Sequence, residues 1–443
     1  MSGVRSRVAL GVVLLLRAAS SNAICLALPA DLTWPGPPPC DGALQACVDA
    51  EPCNGGILEI ASDEPISEAI SFQKGLTIRP APGFHPLIAA FVSAGTPSGS
   101  IGKGGAYLIH IEGLTFEGSG AVLVSQNSPS LLIVEVVGNT VVNAVPSPQY
   151  SAISLSQGTG SGAISFDISG NAVTVPVYPF VATGISLIVL PPGSGGRIAS
   201  NTVAVEGGQY TGGILLLENS GNSWSADVVA NRVTGSGDGA GIELVSTGGD
   251  IAARLLDNLV VGQPNPTPLG VGISLDVADA GITATVVNNT VAANQVGVRA
   301  FSENGTGAIG GLVANNLVYG NGQAGVSIDA AFAGTLANRN NLVYGNGMES
   351  FTPGPGTVTL DPRFAGGGDY HLLPDSPAID AGASSAVPSD LLADLDGSPR
   401  IEGHRVDIGA YEAPEPTGAL GGGAALLALA GAVRGRQRRL PTR

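Results

Sequence analysis

An all-β solenoid of short stacked strands is the fold class the sequence predicts. The octapeptide NNLVYGNG stands at Asn315 to Gly322 and again at Asn340 to Gly347. An asparagine word with valine two residues on recurs at Asn139, Asn171, Asn201, Asn231, Asn258, Asn289, Asn316 and Asn341, with successive gaps of 32, 30, 30, 27, 31, 27 and 25 residues. A second word keeps phase with it: GISL at Gly184, GILL at Gly213, GIEL at Gly241, GISL at Gly272, GVRA at Gly297 and GVSI at Gly325. Repeats of this length built from short strands stack into a solenoid, because one unit alone cannot bury its apolar face.

Each word reads as a short alternating strand, with Ile or Val inward and the next residue outward, bounded by Gly or Asn. No helical period of useful length lies between the words. Asparagine tolerates the left-handed backbone of a sharp turn better than other non-glycine residues, so the recurring asparagines are expected at turns and stacked as a ladder. On this reading the duplicated octapeptide is two successive rungs.

The N-terminus carries different information. MSGVRSRVALGVVLLLRAASSNA has a basic start, a short apolar run and a small-residue end at Ala23, the pattern of a signal peptide over 1–23. The four cysteines, Cys25, Cys40, Cys47 and Cys53, all lie in 24–53, just downstream. An even, clustered set in an exported chain predicts two disulfides, and four cysteines allow three pairings. With no downstream Cys or His cluster, the spacing does not suit zinc.

From the two words in register, the chain resembles the right-handed parallel β-helix proteins over 54–357. That resemblance implies three-strand coils of about 25–32 residues, the range of the repeat gaps. GALQACVDAEPCNGGILEI, with an amphipathic stretch at Gly42 to Ala50, is similar to the N-terminal helix that caps the first coil in that family. A cap is physically required, since an open solenoid end exposes apolar side chains and strand edges.

After Phe351 the words stop. DPRF, SPAIDAG, DLDGSPR and DIGAYE then follow in order, and 358–412 resembles the choice-of-anchor Q domain, which closes extracellular β-helices. Its carboxylates Asp361, Asp380, Asp394, Asp396 and Asp407 have two readings: oxygen ligands for calcium, centred on Asp394 and Asp396, or caps of tight turns. DLDG lacks the remaining ligands of a calcium loop, which favours turn caps and no cofactor. Finally, 413–443 holds Pro414, Glu415 and Pro416, an apolar run from Thr417 to Val433, and Arg434, Arg436, Arg438 and Arg439. This resembles a PEP-CTERM sorting tail, implying an exosortase-type partner, the export machinery, transient membrane contact, and a Gram-negative cell surface or extracellular destination. The 17 residues of the apolar run just reach a bilayer's span.

Charge narrows the partners. The net charge is -16, and 1–23 and 417–443 hold eight arginines and no acidic residue, so their removal leaves -24. Such a surface disfavours nucleic acid and favours solubility. If Ile or Val of the second word points inward, the outward residues are Ser186, Leu215, Glu243, Ser274, Arg299 and Ser327. Two residues on, the outward set is Ile188, Leu217, Val245, Asp276, Phe301 and Asp329. Glu243, Asp276, Arg299 and Asp329 are therefore expected on one face. Asp276 and Asp329, two coils apart, are expected roughly 9–10 Å from each other, a separation suited to an inverting glycosidase.

Two functions compete on these residues. One is a non-catalytic structural or adhesive surface, and the other is a lyase or hydrolase acting on acidic extracellular polysaccharide. Trp34 and Trp224 are the only tryptophans, and His85, His110, His371 and His404 are dispersed without metal-ligand spacing. No GxSxG, HExxH or phosphate loop occurs. The missing catalytic constellation favours the binding surface.

Overall fold

A computed structural model of the chain describes residues 32–51, 54–97, 105–117, 122–142, 150–177, 182–207, 211–235, 238–262, 270–347 and 353–414. The signal segment 1–23, Cys25, Cys53 and the sorting tail beyond Pro414 lie outside the described residues. The described chain is a parallel β-solenoid. Sheet A has 12 strands, from Leu32–Trp34 to Leu336–Arg339. Sheet B has 10, from Leu87–Ile88 to Leu342–Tyr344, and sheet C has 10, from Ile70–Gln73 to Ala324–Ile328. Successive strands within each of these sheets pair in parallel, and each coil passes through C, A and B in turn.

The inward positions follow the sequence pattern. Ile185, Ile214, Ile242, Ile273, Val298 and Val326 of the second word line the interior from one coil to the next, all buried in a single core cluster. The glycine that opens this word has a packing reason. A Cβ on Gly213, Gly241 or Gly272 would stand 2.3 Å from a γ-methyl of Val233, Val260 or Val291 in sheet B. The two sheets thus meet too closely for any side chain at that corner.

The asparagine words form a buried ladder at the corner between sheets A and B. Each side-chain oxygen accepts the backbone N–H of the preceding rung: Asn139 to Asn171 at 3.0 Å, Asn171 to Asn201 at 2.9 Å, and so on to Asn316 and Asn341 at 2.8 Å. The ladder asparagines are not, however, the left-handed residues. Positive φ falls on the residue before each: Gly138, Gly170, Ser200, Ala230, Asp257, Asn288, Asn315 and Asn340. A ladder asparagine is selected for its amide, which satisfies the orphaned backbone groups of the corner, rather than for its backbone.

The octapeptide is accounted for residue by residue. Asn315 and Asn340 take the left-handed turn, Asn316 and Asn341 are ladder rungs, and Val318 and Val343 enter the core. Tyr319 and Tyr344 stack one coil apart, with ring centroids at 6.4 Å. Gly320 and Gly345 are left-handed, and Asn321 and Asn346 belong to a second ladder that starts at Asn294.

At the N-terminal end, helix Leu44–Ala50 buries Leu44, Cys47 and Val48 over the first coil. The Glu68 carboxylate accepts the Leu44 and Gln45 amides at 2.7 and 3.1 Å, satisfying two donors at the helix start where negative charge is favoured. Cys40 and Cys47 form a disulfide.

The C-terminal segment corrects an expectation. Val358 covers the last sheet-B strand by bridging Leu342 and the Pro355 carbonyl accepts the Asn340 amide at 2.8 Å, so 355–358 lies on the last coil, but the chain beyond does not stay there. It turns back as a strap along the A–B corner. There the left-handed residues receive it: Asp257 binds Arg400, Asn288 donates to the Asp407 and Gly409 carbonyls, and Asn315 bonds Ala383 through both amide atoms. Along this column Gly, Gly, Ser and Ala give way to Asp, Asn, Asn and Asn, and Asp257, Asn288 and Asn315 bond the strap, while Ala230 packs against its apolar residues.

Candidate functional site

Sheet C presents two outward columns. One runs Leu215, Glu243, Ser274, Arg299, Ser327, and the other Ile188, Leu217, Val245, Asp276, Phe301, each residue paired with its neighbour in register. Glu243, Asp276 and Arg299 are thereby brought together, as expected. Asp329 is not. The strand ends at Ile328, and Asp329 leads into a short 3-10 turn, where its carboxylate accepts the Ser302 amide at 3.1 Å. Its own amide still bonds the Ala300 carbonyl at 3.0 Å, so Asp329 follows Phe301 in register, but its carboxylate is committed to the turn rather than to Asp276. Ser186 and Ser274 point outward but are fully buried beneath their neighbours, so neither is a surface position.

The cluster is closed by its own hydrogen bonds. Arg299 donates from Nε to Ser274 Oγ at 3.1 Å and from Nη2 to Asp276 Oδ2 at 2.9 Å, and Ser274 Oγ donates to the same Oδ2 at 3.1 Å. Asp276 Oδ1 is buried with no donor from any normally charged group. Burial, and next the Asp276 charge, push the Glu243 carboxyl up to about 7, and it hydrogen-bonds to Asp276. Burial also raises Asp276, against the pull of Arg299. Burial and the Asp276 charge thus favour the protonated form of Glu243, which sets a carboxylic acid beside the Asp276–Arg299 pair. Phe301, 38% exposed, lies beside them with Arg299 Cζ 5.7 Å from its ring centre.

A second array escaped the reading of the words. Four residues before the ladder asparagines stand Glu135, Asp167, Arg197, Asp227 and Arg254, which pair in register with His110 into one charged column on sheet A. Arg197 binds Asp167 at 2.7 Å, and Arg254 bridges Asp227 and Asp390. His110 bonds Glu135 at 2.6 Å and Glu112 at 3.1 Å; burial opposes its charge, but the two carboxylates raise its pKa overall. The fixed offset from the asparagines was the signal that could have found this column. Its partners pair along the coil axis, which makes it a stack of ion pairs.

The proposed calcium residues act as caps. Asp394 accepts the amides of Asp396 and Ser398 on one oxygen and Glu412 on the other. Asp396 binds Arg232 at 2.6 Å and His371 Nε2 at 2.6 Å. Asp361, Asp380 and Asp407 likewise accept loop amides. Among the described residues, no group of three or more His, Cys, Asp or Glu side chains is placed to hold a metal ion. Trp224 is buried with Nε1 on Glu218, and His371 packs on Tyr411 with ring centres 4.1 Å apart.

No protein-family model matches the chain, and no curated protein matches it. Among solved structures it is similar to pectate lyase Pel9A, at 12% identity and TM-score 0.38, over 82% of this chain and 89% of that one. It is also similar to AlyGC, a PL6 family alginate lyase, at 14% identity and TM-score 0.38. That match covers 89% of this chain and 60% of the lyase. Neither likeness bears on function.

Proposed function

We propose that the chain is an exported solenoid, displayed on or released from a Gram-negative cell surface, whose sheet-C face binds extracellular carbohydrate without cleaving it. The observation that supports this is the closure of the polar cluster. Arg299, the only cation in the two outward columns, already bonds Ser274 and Asp276, and Phe301 stands exposed beside it. Such an arrangement offers a preformed surface, with no free charge aimed at a reacting bond.

Export and display rest on the signal-like start, the choice-of-anchor Q motifs of 358–412 and the PEP-CTERM-like tail, with an exosortase-type enzyme and the export machinery as partners. Intact mass spectrometry of the protein from native envelope or medium is expected to lack Met1 to about Ala23 and everything after the Pro414 to Pro416 neighbourhood. Recovery of Arg443 in the surface protein would replace sorting with a plain anchor.

The raised carboxyl of Glu243 beside Asp276 favours a second reading, a glycoside hydrolase, because a carboxyl group held protonated near another carboxyl group is a working part of acid–base hydrolysis. Reducing-end assays on a polysaccharide panel at about pH 6 decide between the two readings. No turnover is expected. Turnover abolished by Glu243→Gln at an unchanged melting temperature would establish the hydrolase.

A further inference from the structure

We propose that the ligand of the sheet-C face is an uncharged glycan lying along the coil axis, from the apolar strip of Ile188, Leu217 and Val245 to Phe301. This rests on the binding reading above and names its ligand class.

Charge is the first ground. The chain carries -16 overall, and the arginines at positions 79, 197, 232, 254, 299, 363 and 400 are all ion-paired within the protein. Lys74 directs its amine to the Val48 and Glu51 carbonyls at the end of the capping helix. A polyuronate on sheet C would therefore meet no free cation in the outward columns, only an Arg299–Asp276 pair already closed on itself, in the field of a chain of net charge -16. Like-charge juxtaposition and desolvation both oppose that. A glycan without carboxylates meets neither penalty.

Shape and spacing are the second ground. Ile188, Leu217 and Val245 are half-buried and consecutive in register, giving a flat apolar track one side chain wide. The C–H faces of pyranose rings pack on such a track. Phe301 ends it with an exposed ring, the one aromatic platform in these columns, and Arg299 sits near that ring rather than in solvent. Coils repeat at about 4.8 Å, close to the advance of one sugar in an extended chain, so successive sugars meet equivalent positions on successive coils.

The test is affinity electrophoresis of the full chain in gels containing hydroxyethylcellulose, dextran or galactomannan, against gels containing alginate or polygalacturonate, at low and high salt. Retardation by at least one uncharged polymer is expected, little changed by salt, with no retardation by the two polyuronates. Phe301→Ala and Leu217→Ser are each expected to weaken it by about tenfold at an unchanged melting temperature. Retardation by a polyuronate that falls with salt and disappears in Arg299→Met would overturn the ligand class and leave the binding reading standing. Retardation by an uncharged polymer that both Phe301→Ala and Leu217→Ser leave intact would overturn the face. No retardation of the wild-type chain by any polymer would overturn the binding reading itself.

Discussion

Arg400→Met is expected to unfasten the C-terminal strap and to cost about 3–5 kcal/mol, the scale for removing one partner from a buried ion pair. Arg400 is 2% exposed as a residue, the bulkiest of the fully buried side chains. It donates to Asp257 Oδ1 at 2.8 Å and to Glu412 Oε1 at 2.6 Å, and it also reaches the Gly409 and Asp407 carbonyls. Asp257 belongs to the solenoid corner and Glu412 to the strap, so one guanidinium joins the two. Methionine fills much of the volume and leaves both carboxyl groups without their cation. Limited proteolysis should then cut within 380–412 in the variant and not in the wild type, together with a lower melting temperature. Adding Asp257→Leu and Glu412→Gln should restore much of the loss, because the remaining groups no longer need a charge partner. Equal protease resistance of Arg400→Met and wild type would show that apolar contacts such as Leu259 with Leu395 and Tyr411 hold the strap without it.

The same clasp makes stability depend on pH. Burial raises Asp257 well above the usual carboxylate range, against Arg400, and raises Glu412 to about 7. Burial likewise raises Asp407, and Asp394 also faces the cluster. One guanidinium cannot neutralise this many carboxylates in a dry site, so the native state favours protonated forms. A raised native pKa means stability that is full below the unfolded value, near 4.5 for Glu412, and is lost as pH rises through about 7. The melting temperature is accordingly expected to be higher at about pH 5 than at about pH 8, with a smaller difference in Glu412→Gln.

The coils were legible in the sequence because their cause is local and repeated. Ile or Val alternating inward, a glycine where sheets B and C meet, and an asparagine at the A–B corner recur over many successive units, so period and facing could be read together. The strap's path was harder, because it depends on pairs such as Arg400 with Asp257, 143 residues apart. Even so, the polar residues at Asp257, Asn288 and Asn315 carried its footprint in plain sight. At the site, register placed Glu243, Asp276 and Arg299 correctly, since these lie within regular strands. Asp329 stands one residue past the end of its strand with its carboxylate turned to the Ser302 amide, and a periodic reading has no term for a coil that ends in a 3-10 turn. The raised carboxyl of Glu243 was not readable at all, because it arises from burial that only the stacked coils create.

Asn289→Ala is expected to destabilise the solenoid by about 3–5 kcal/mol, because it orphans several buried groups at once, each costing about 1–3 kcal/mol before any relaxation. Asn289 is fully buried. Its oxygen accepts the Asn258 backbone amide at 3.0 Å and the Asn258 side chain at 2.9 Å, while its nitrogen donates to the Leu255 carbonyl at 2.9 Å and to Asn316 Oδ1 at 2.9 Å. Alanine removes these bonds and a further one from the same nitrogen to the Val287 carbonyl at 3.2 Å. Asn289→Asp is the sharper variant. It keeps the shape and the accepting oxygen but turns a second oxygen toward the Leu255 carbonyl and Asn316 Oδ1, both acceptors. It should therefore be at least as damaging as alanine near neutral pH, and partly recovered in acid, where a protonated carboxyl donates again. Thr283→Ala, at an exposed position of sheet A in the same coil, should change stability by less than about 0.5 kcal/mol. Thermal melts of the three variants decide it. An Asn289→Asp protein as stable as the wild type would mean that the ladder is held by backbone pairing alone, and that the recurring amide carries no share of the stack's stability.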